Sequence, residues 1–275
     1  MISAHRLLPV CLALAFAACG EPAAPDLPAP GEPELGAAEA GDADAGMERL
    51  AALTARMDAL DAEVTHAEDV SAIRTLMRTY SFYLDRGLWA DLTELMTDDA
   101  RGSYPAGVFI GKESLAPHFM DNNGRGYLGF EEGRLGNHIA LQPFITVHED
   151  GRTAEGRWRV LAQLGQMGAM AAWAGGLYEI DYRKGDDGLW RISDLRYYSG
   201  GPNGSFEDGW SAPPRPAERP GAERFRNLPQ PPDEPAETDC QGYPNGTCVP
   251  PFHYPNPGTG EPWAGLDAPV QETAQ

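Results

Sequence analysis

The sequence predicts a single α+β domain, helices first and a curling antiparallel sheet after them, held between two proline-rich arms. Three observations predict it. Of 25 prolines, three fall in residues 47–199 and sixteen in 200–275, and a low proline density is what regular structure requires. Apolar residues recur at helical spacing up to about residue 120. Beyond residue 125 the period falls to two, the spacing of strands with one covered face.

Taken in chain order, Met1 to Arg6 is short and basic, Leu7 to Ala18 is apolar, and small residues precede Cys19. Twelve apolar residues are too few to span a bilayer, so residues 1–18 are expected to be a signal peptide. The run Ala15-Phe16-Ala17-Ala18-Cys19-Gly20 resembles the lipobox of bacterial lipoproteins, with Phe16 where leucine is usual. The resemblance implies that Cys19 carries lipid and that the protein is anchored in the cell envelope, at the outer membrane facing the periplasm. Ordinary cleavage near Ala18 is the alternative.

Residues 19–46 are rich in Ala, Pro, Gly, Glu and Asp and are expected to be a disordered tether. In residues 47–66 Leu50, Leu53, Met57, Leu60 and Val64 recur at alternating spacings of three and four, two heptads of a helical seam. That seam either packs on the domain or pairs subunits in a homo-oligomer. The domain itself is expected at 67–199. Val70, Ile73, Met77 and Tyr80, with Leu76, Tyr83 and Leu84, mark one face of a helix that Gly87 ends. Leu88 to Met96 predicts a second helix and Gly111 to Met120 a third.

A hairpin is expected from Phe144–Val147 through Gly151 into the alternating run Thr153 to Leu164, then strands at Met170–Tyr182 and Leu189–Tyr197 joined by Asp186-Asp187-Gly188. The tail, 200–275, carries Trp210, Phe225, Tyr243, Phe252, Tyr254 and Trp263, too many aromatics for a plain linker. Parts of it, above all 249–257, are expected to dock on the domain. Cys240 and Cys248, seven residues between them around Pro244-Asn245-Gly246, are expected to close a small disulfide loop.

The run Ala72-Ile73-x-x-Leu76-x-x-x-Tyr80-x-x-Tyr83-x-Asp85-x-Gly87-x-Trp89-x-x-Leu92-x-x-Leu95-Met96-x-x-Asp99-Ala100 closely resembles the opening of SnoaL-like domains of the nuclear-transport-factor-two-like superfamily. Gly111-Lys112-Glu113, Asn137-His138, Gly151-Arg152-Thr153-Ala154, Gly176-x-Tyr178 and Gly188-x-Trp190-Arg191-Ile192 follow in the family's order. The resemblance implies a cone-shaped α+β barrel, a curved antiparallel sheet wrapped with about three helices around an apolar pocket, often in dimers. By order and spacing, Asp85, His138 and Tyr104 fall where scytalone dehydratases of the same superfamily keep their catalytic Asp, a His and a Tyr. The second histidine of those enzymes has no counterpart; Ala162-Gln163-Leu164 stands there, so their reaction is not expected. Tyr83, Trp158 and Tyr178 are the expected ligand-binding aromatics.

A carboxylate that fixes an imidazole's tautomer lets the histidine take a proton near neutral pH. Such a pair suits a lyase or isomerase acting on a small apolar or aromatic molecule. Each candidate also has a structural role open to it: Asp85 as a helix-end cap, His138 as a buried partner for it, the tyrosines as packing. His118 and His148 are expected at a helix surface and a strand end. The six histidines show no metal spacing, and neither a metal nor a cofactor is expected. With 41 acidic against 21 basic residues the net charge is −20, which excludes nucleic acid as a partner. Three classes remain: a proton-transfer enzyme, an envelope protein that binds a hydrophobic ligand without turnover, and an assembly scaffold.

Overall fold

A computed structural model describes residues 40–129, 132–199, 203–205, 228–237, 249–263 and 265. Cys19, Cys240, Cys248 and the signal segment lie outside the described residues. The chain divides into two units, Met1–Thr54 and Ala55–Gln275. Of the first, the described part is helical, with Met47, Leu50 and Leu53 exposed.

The two expected N-terminal helices are a single one, α1, Ala40–Arg86. Nothing in the stretch around Thr65-His66-Ala67 breaks a helix, and alanine is frequent throughout. Within the second unit α1 changes its buried side. Met57, Leu60 and Val64 are exposed, whereas Ile73, Met77 and Tyr80 are fully buried. At 100° per residue these two sets face opposite ways on the helix. Within this unit, Met57, Leu60 and Val64 therefore face away from the side of α1 that is buried.

Gly87 ends α1 with φ +63, and Leu88 N–H bonds the Tyr83 carbonyl at 3.0 Å while Gly87 N–H bonds that of Leu84 at 3.4 Å. A Cβ on Gly87 would also lie 2.6 Å from the Gly129 carbonyl oxygen, so close approach as well as handedness demands glycine. Helix α2, Trp89–Glu94, follows at once, then two strands that helical periodicity did not announce, β1 (Met96–Tyr104) and β2 (Gly107–Ile110). Helix α3, Gly111–Pro117, runs into a π-helical turn, His118–Asn123.

The remaining strands are β3 (Arg134–Val147), β4 (Thr153–Gln166), β5 (Met170–Lys184), β6 (Trp190–Tyr198) and the short β7 (Asn203–Ser205). They form one curved sheet in the order β2-β1-β6-β5-β4-β3, with β7 paired to β5. It is not antiparallel throughout, because β1 runs parallel to β6, Gly102 beside Leu195. The intervening helix and meander supply the crossover that a parallel pair needs. In β3 the register slips between Leu141 and Phe144, where Gln142 has φ +50 before Pro143, which has no N–H to give the ladder.

The core lies between the sheet's inner face and the helices: Ile73, Met77 and Tyr80 meet Trp89, Leu92, Phe109, Leu115, Phe119, Ile180, Ile192 and Leu195. On β4 the alternation fails at one place. Arg157, between two inward residues, is buried too, because residues 249–254 cover that outer patch. Its guanidinium pairs with Glu179 and donates to the carbonyls of Pro250 and Pro251 at 2.8 and 2.5 Å. The Phe252 ring sits 3.9 Å from it, and Tyr254 stacks on Phe144 at 3.5 Å. Residues 228–237 dock separately, where Val108 N–H bonds the Glu234 carbonyl at 2.9 Å along β2.

Candidate active site

The helices and the sheet leave a cavity of about 390 Å³ whose wall is mostly apolar and aromatic, with Leu84, Phe119, Ala162 and Leu164 beside Tyr80, Tyr104, Tyr178 and Tyr197. A larger, shallower groove of about 510 Å³ opens beside Glu68, Trp190 and Arg191, but no paired acid and base lines it. The smaller cavity is lined by His138 and four tyrosines and is the candidate site.

Asp85 stands two residues before the glycine turn that ends α1 and meets the cavity through His138. His138 reaches it from β3, opposite Ala162 of β4. Oδ1 of Asp85 accepts two hydrogen bonds from His138, one from its backbone N–H at 2.8 Å and one from ring Nδ1 at 2.9 Å. The backbone bond locks the carboxylate to the strand. The ring bond puts the proton on Nδ1 and leaves the Nε2 lone pair free. His138 is half-buried along the cavity wall, and Asp85 is buried behind it. The pair has the form of a general base with its orienting carboxylate.

Tyr104, at the end of β1, places its hydroxyl 3.5 Å from that of Tyr80. Tyr80 meets Tyr178 edge-on at 6.1 Å, and Tyr178 meets Tyr197 at 5.2 Å. Burial raises the pKa of Tyr80, Tyr104 and Tyr178 well above the ordinary phenol range and pushes Tyr197 up to about 12. All four are neutral phenols at physiological pH, able to donate a hydrogen bond and unfit to act as bases.

Tyr178 thus lines the cavity, whereas two other expected ligand-binding aromatics do not. Tyr83 is half-buried against the core on another side of α1. Trp158 is buried in the core, its Nε1–H bonded to the Tyr182 hydroxyl at 3.0 Å. His118, expected on a helix surface, is only 4% exposed and lines the cavity. It packs against the rings of Phe109 and Tyr104, at 3.8 and 4.9 Å, and burial lowers its pKa to about 4. It stands where α3 passes into the π-helical turn, its N–H still bonded to the Ser114 carbonyl.

Residues 65–196 match the family model of the SnoaL-like domain. Residues 65–196 are a SnoaL-like domain. Solved structures similar to it include a proposed scytalone dehydratase from Novosphingobium aromaticivorans, 21% identical, with 57% of this chain and 97% of that one covered and a TM-score of 0.44. Another is a type 2 hexachlorocyclohexane dehydrochlorinase (LinA), 17% identical over 56% and 99% of the two chains, TM-score 0.45. A third is ActVI-ORFA from Streptomyces coelicolor, 12% identical over 46% and 95%, TM-score 0.40. The family description itself assigns no reaction, and a fold of this kind does not choose one. Within the SnoaL-like domain, the Asp85–His138 pair and the cavity that His138 lines are the candidate site.

Proposed function

We propose that the SnoaL-like domain is a proton-transfer catalyst, a lyase or isomerase, for a small aromatic or apolar molecule that bears a carbonyl group. The observation that carries this is the orientation of His138: Asp85 holds Nδ1–H, so Nε2 is a base facing an apolar cavity. His138 would take a proton from carbon next to the carbonyl, and the neutral phenols and Tyr104 in particular would stabilise the charge that develops on oxygen. Elimination of a leaving group or return of the proton at another carbon would complete the reaction.

The test uses α-tetralone, a bicyclic aryl ketone of a size suited to the cavity. In deuterated buffer the protein should accelerate exchange of the protons beside the carbonyl, read by proton NMR. His138→Ala should slow exchange about 100-fold or more, the usual worth of a positioned base. Asp85→Asn should slow it comparably by presenting the wrong tautomer. Binding of the ketone without any exchange above buffer would leave a ligand carrier and refute the catalyst.

Export and anchoring belong to the same proposal, supported by the signal-like segment 1–18 and the lipobox-like run before Cys19. The intact mass of unreduced protein purified from membranes tests both cysteine assignments: it should show acyl chains on Cys19 and a Cys240–Cys248 bond, and two free thiols would refute the bond. A second reading, assembly, is favoured by the exposed seam. Met57, Leu60 and Val64 are 64, 42 and 55% exposed, and Arg56 and Asp61 flank them with opposite charge. The occupant we propose for that face is the same helix of a second copy.

A further inference from the structure

His118 is the cavity histidine that the base chemistry leaves unused, and its protonation state is set by a chain of hydrogen bonds that starts in the C-terminal arm. The carboxamide of Asn122 makes two bonds to the backbone of Gln230: Oδ1 accepts from Gln230 N–H at 3.0 Å, and Nδ2 donates to the Gln230 carbonyl at 2.8 Å. Those partners cannot exchange roles, so the amide is held one way round. Its Nδ2 also lies 3.0 Å from Nδ1 of His118. Nδ1 faces a donor and must accept, which leaves the proton on Nε2.

Among the described residues no acceptor is within reach of Nε2, yet it is not one of the sealed polar atoms that lack a partner. The ring lines the cavity. The proton on Nε2 therefore finds its acceptor there. The flanking rings of Phe109 and Tyr104 hold the imidazole in place and offer it no carboxylate. Asp85, by contrast, gives His138 the opposite tautomer. One cavity thus contains two neutral imidazoles with complementary capacities, one with a free lone pair and one with a free N–H.

We infer that His118 donates its Nε2–H to the carbonyl oxygen of the ligand, with Asn122 and the backbone of Gln230 as the residues that set its tautomer. This rests on the reading of the cavity as a site for a carbonyl compound. It makes the arm that carries Gln230 part of the site, although none of the arm's described residues lines the cavity. It also divides the labour: His138 acts at carbon and His118 at oxygen.

The experiment compares α-tetralone with tetralin, which has the same bicyclic skeleton and no carbonyl, by calorimetric titration of the full-length protein. His118→Phe keeps an aromatic ring against Phe109 and Tyr104 and removes the N–H. It should reduce the preference for tetralone over tetralin roughly tenfold, the scale of one hydrogen bond lost to a buried donor site. Gln230→Pro, in a stretch already rich in proline, removes the N–H that orients Asn122 and should move the preference the same way by a smaller factor.

Nitrogen-15 NMR of the histidine rings gives a readout independent of binding. In the wild type His118 should carry its proton on Nε2 at neutral pH, and in Gln230→Pro the Nδ1–H form should appear. A proton on Nδ1 in the wild type, or an unchanged preference in His118→Phe when both ligands bind, overturns the inference and leaves the base at His138 standing. Failure of the wild type to bind tetralone overturns both.

Discussion

His118 and His138 illustrate how differently one residue type can be read from a sequence. His138 was legible only through the family resemblance that set it beside Asp85, because the strand that carries it, β3, begins at Arg134, ten residues before the stretch in which alternation announced a strand. His118 was not, because it packs against Phe109 of β2, a strand the sequence did not announce, and its neighbour Asn122 bonds an arm residue 108 positions beyond Asn122. Its burial has a consequence for stability. Protonation would charge a ring that water cannot reach, so the folded protein binds fewer protons than the unfolded chain between pH 6.5 and about 4. Stability should therefore be full above pH 6.5 and fall as the pH drops through that window, by on the order of 3 kcal/mol in all. Urea denaturation of the wild type and His118→Phe at several pH values checks this: the variant should show a shallower loss, and identical slopes would contradict it.

Among the elements, the helices and the long hairpins were readable from period alone, since burial of one face imposes it. β1 was hidden by its composition. Its polar residues are held by partners that only the fold supplies: Asp99 by Arg183 at 2.5 Å, Asp98 by Lys112 at 3.2 Å, and Arg101 by Glu234 at 2.9 Å. The segment from Pro250 to Tyr254 is the element whose removal would be felt furthest into the sheet, because it seals the Arg157–Glu179 pair, with Nδ1 of His253 at 3.5 Å from Glu179. Arg157→Met leaves a buried carboxylate without its guanidinium and should cost about 3–5 kcal/mol. The double change Arg157→Met with Glu179→Leu should cost clearly less than the sum of the two single ones, measured as a double-mutant cycle in urea.

At the scale of the whole molecule, the charge of −20 and the exposed seam pull in opposite directions. Repulsion between copies is screened by salt, whereas apolar contact is not. Association along the seam should accordingly strengthen between 20 and 300 mM salt, a range about which the Debye length shrinks severalfold. Leu60→Lys with Val64→Lys should abolish it in sedimentation equilibrium while leaving the tetralone exchange rate of the SnoaL-like domain unchanged. A monomeric wild type at every salt concentration would exclude the seam as an interface. The bonds around the cavity also differ in the length of chain they must close. Asp85 and His138 are 53 residues apart, Arg157 and Pro250 are 93, and Asn122 and Gln230 are 108. Longer closures lose more entropy before any contact repays them, and they come later in folding. The carboxylate and its histidine can be in place on a nascent domain before the arm arrives, so the site matures in two stages: an early base, and a donor whose tautomer is chosen only when the last part of the chain is laid down.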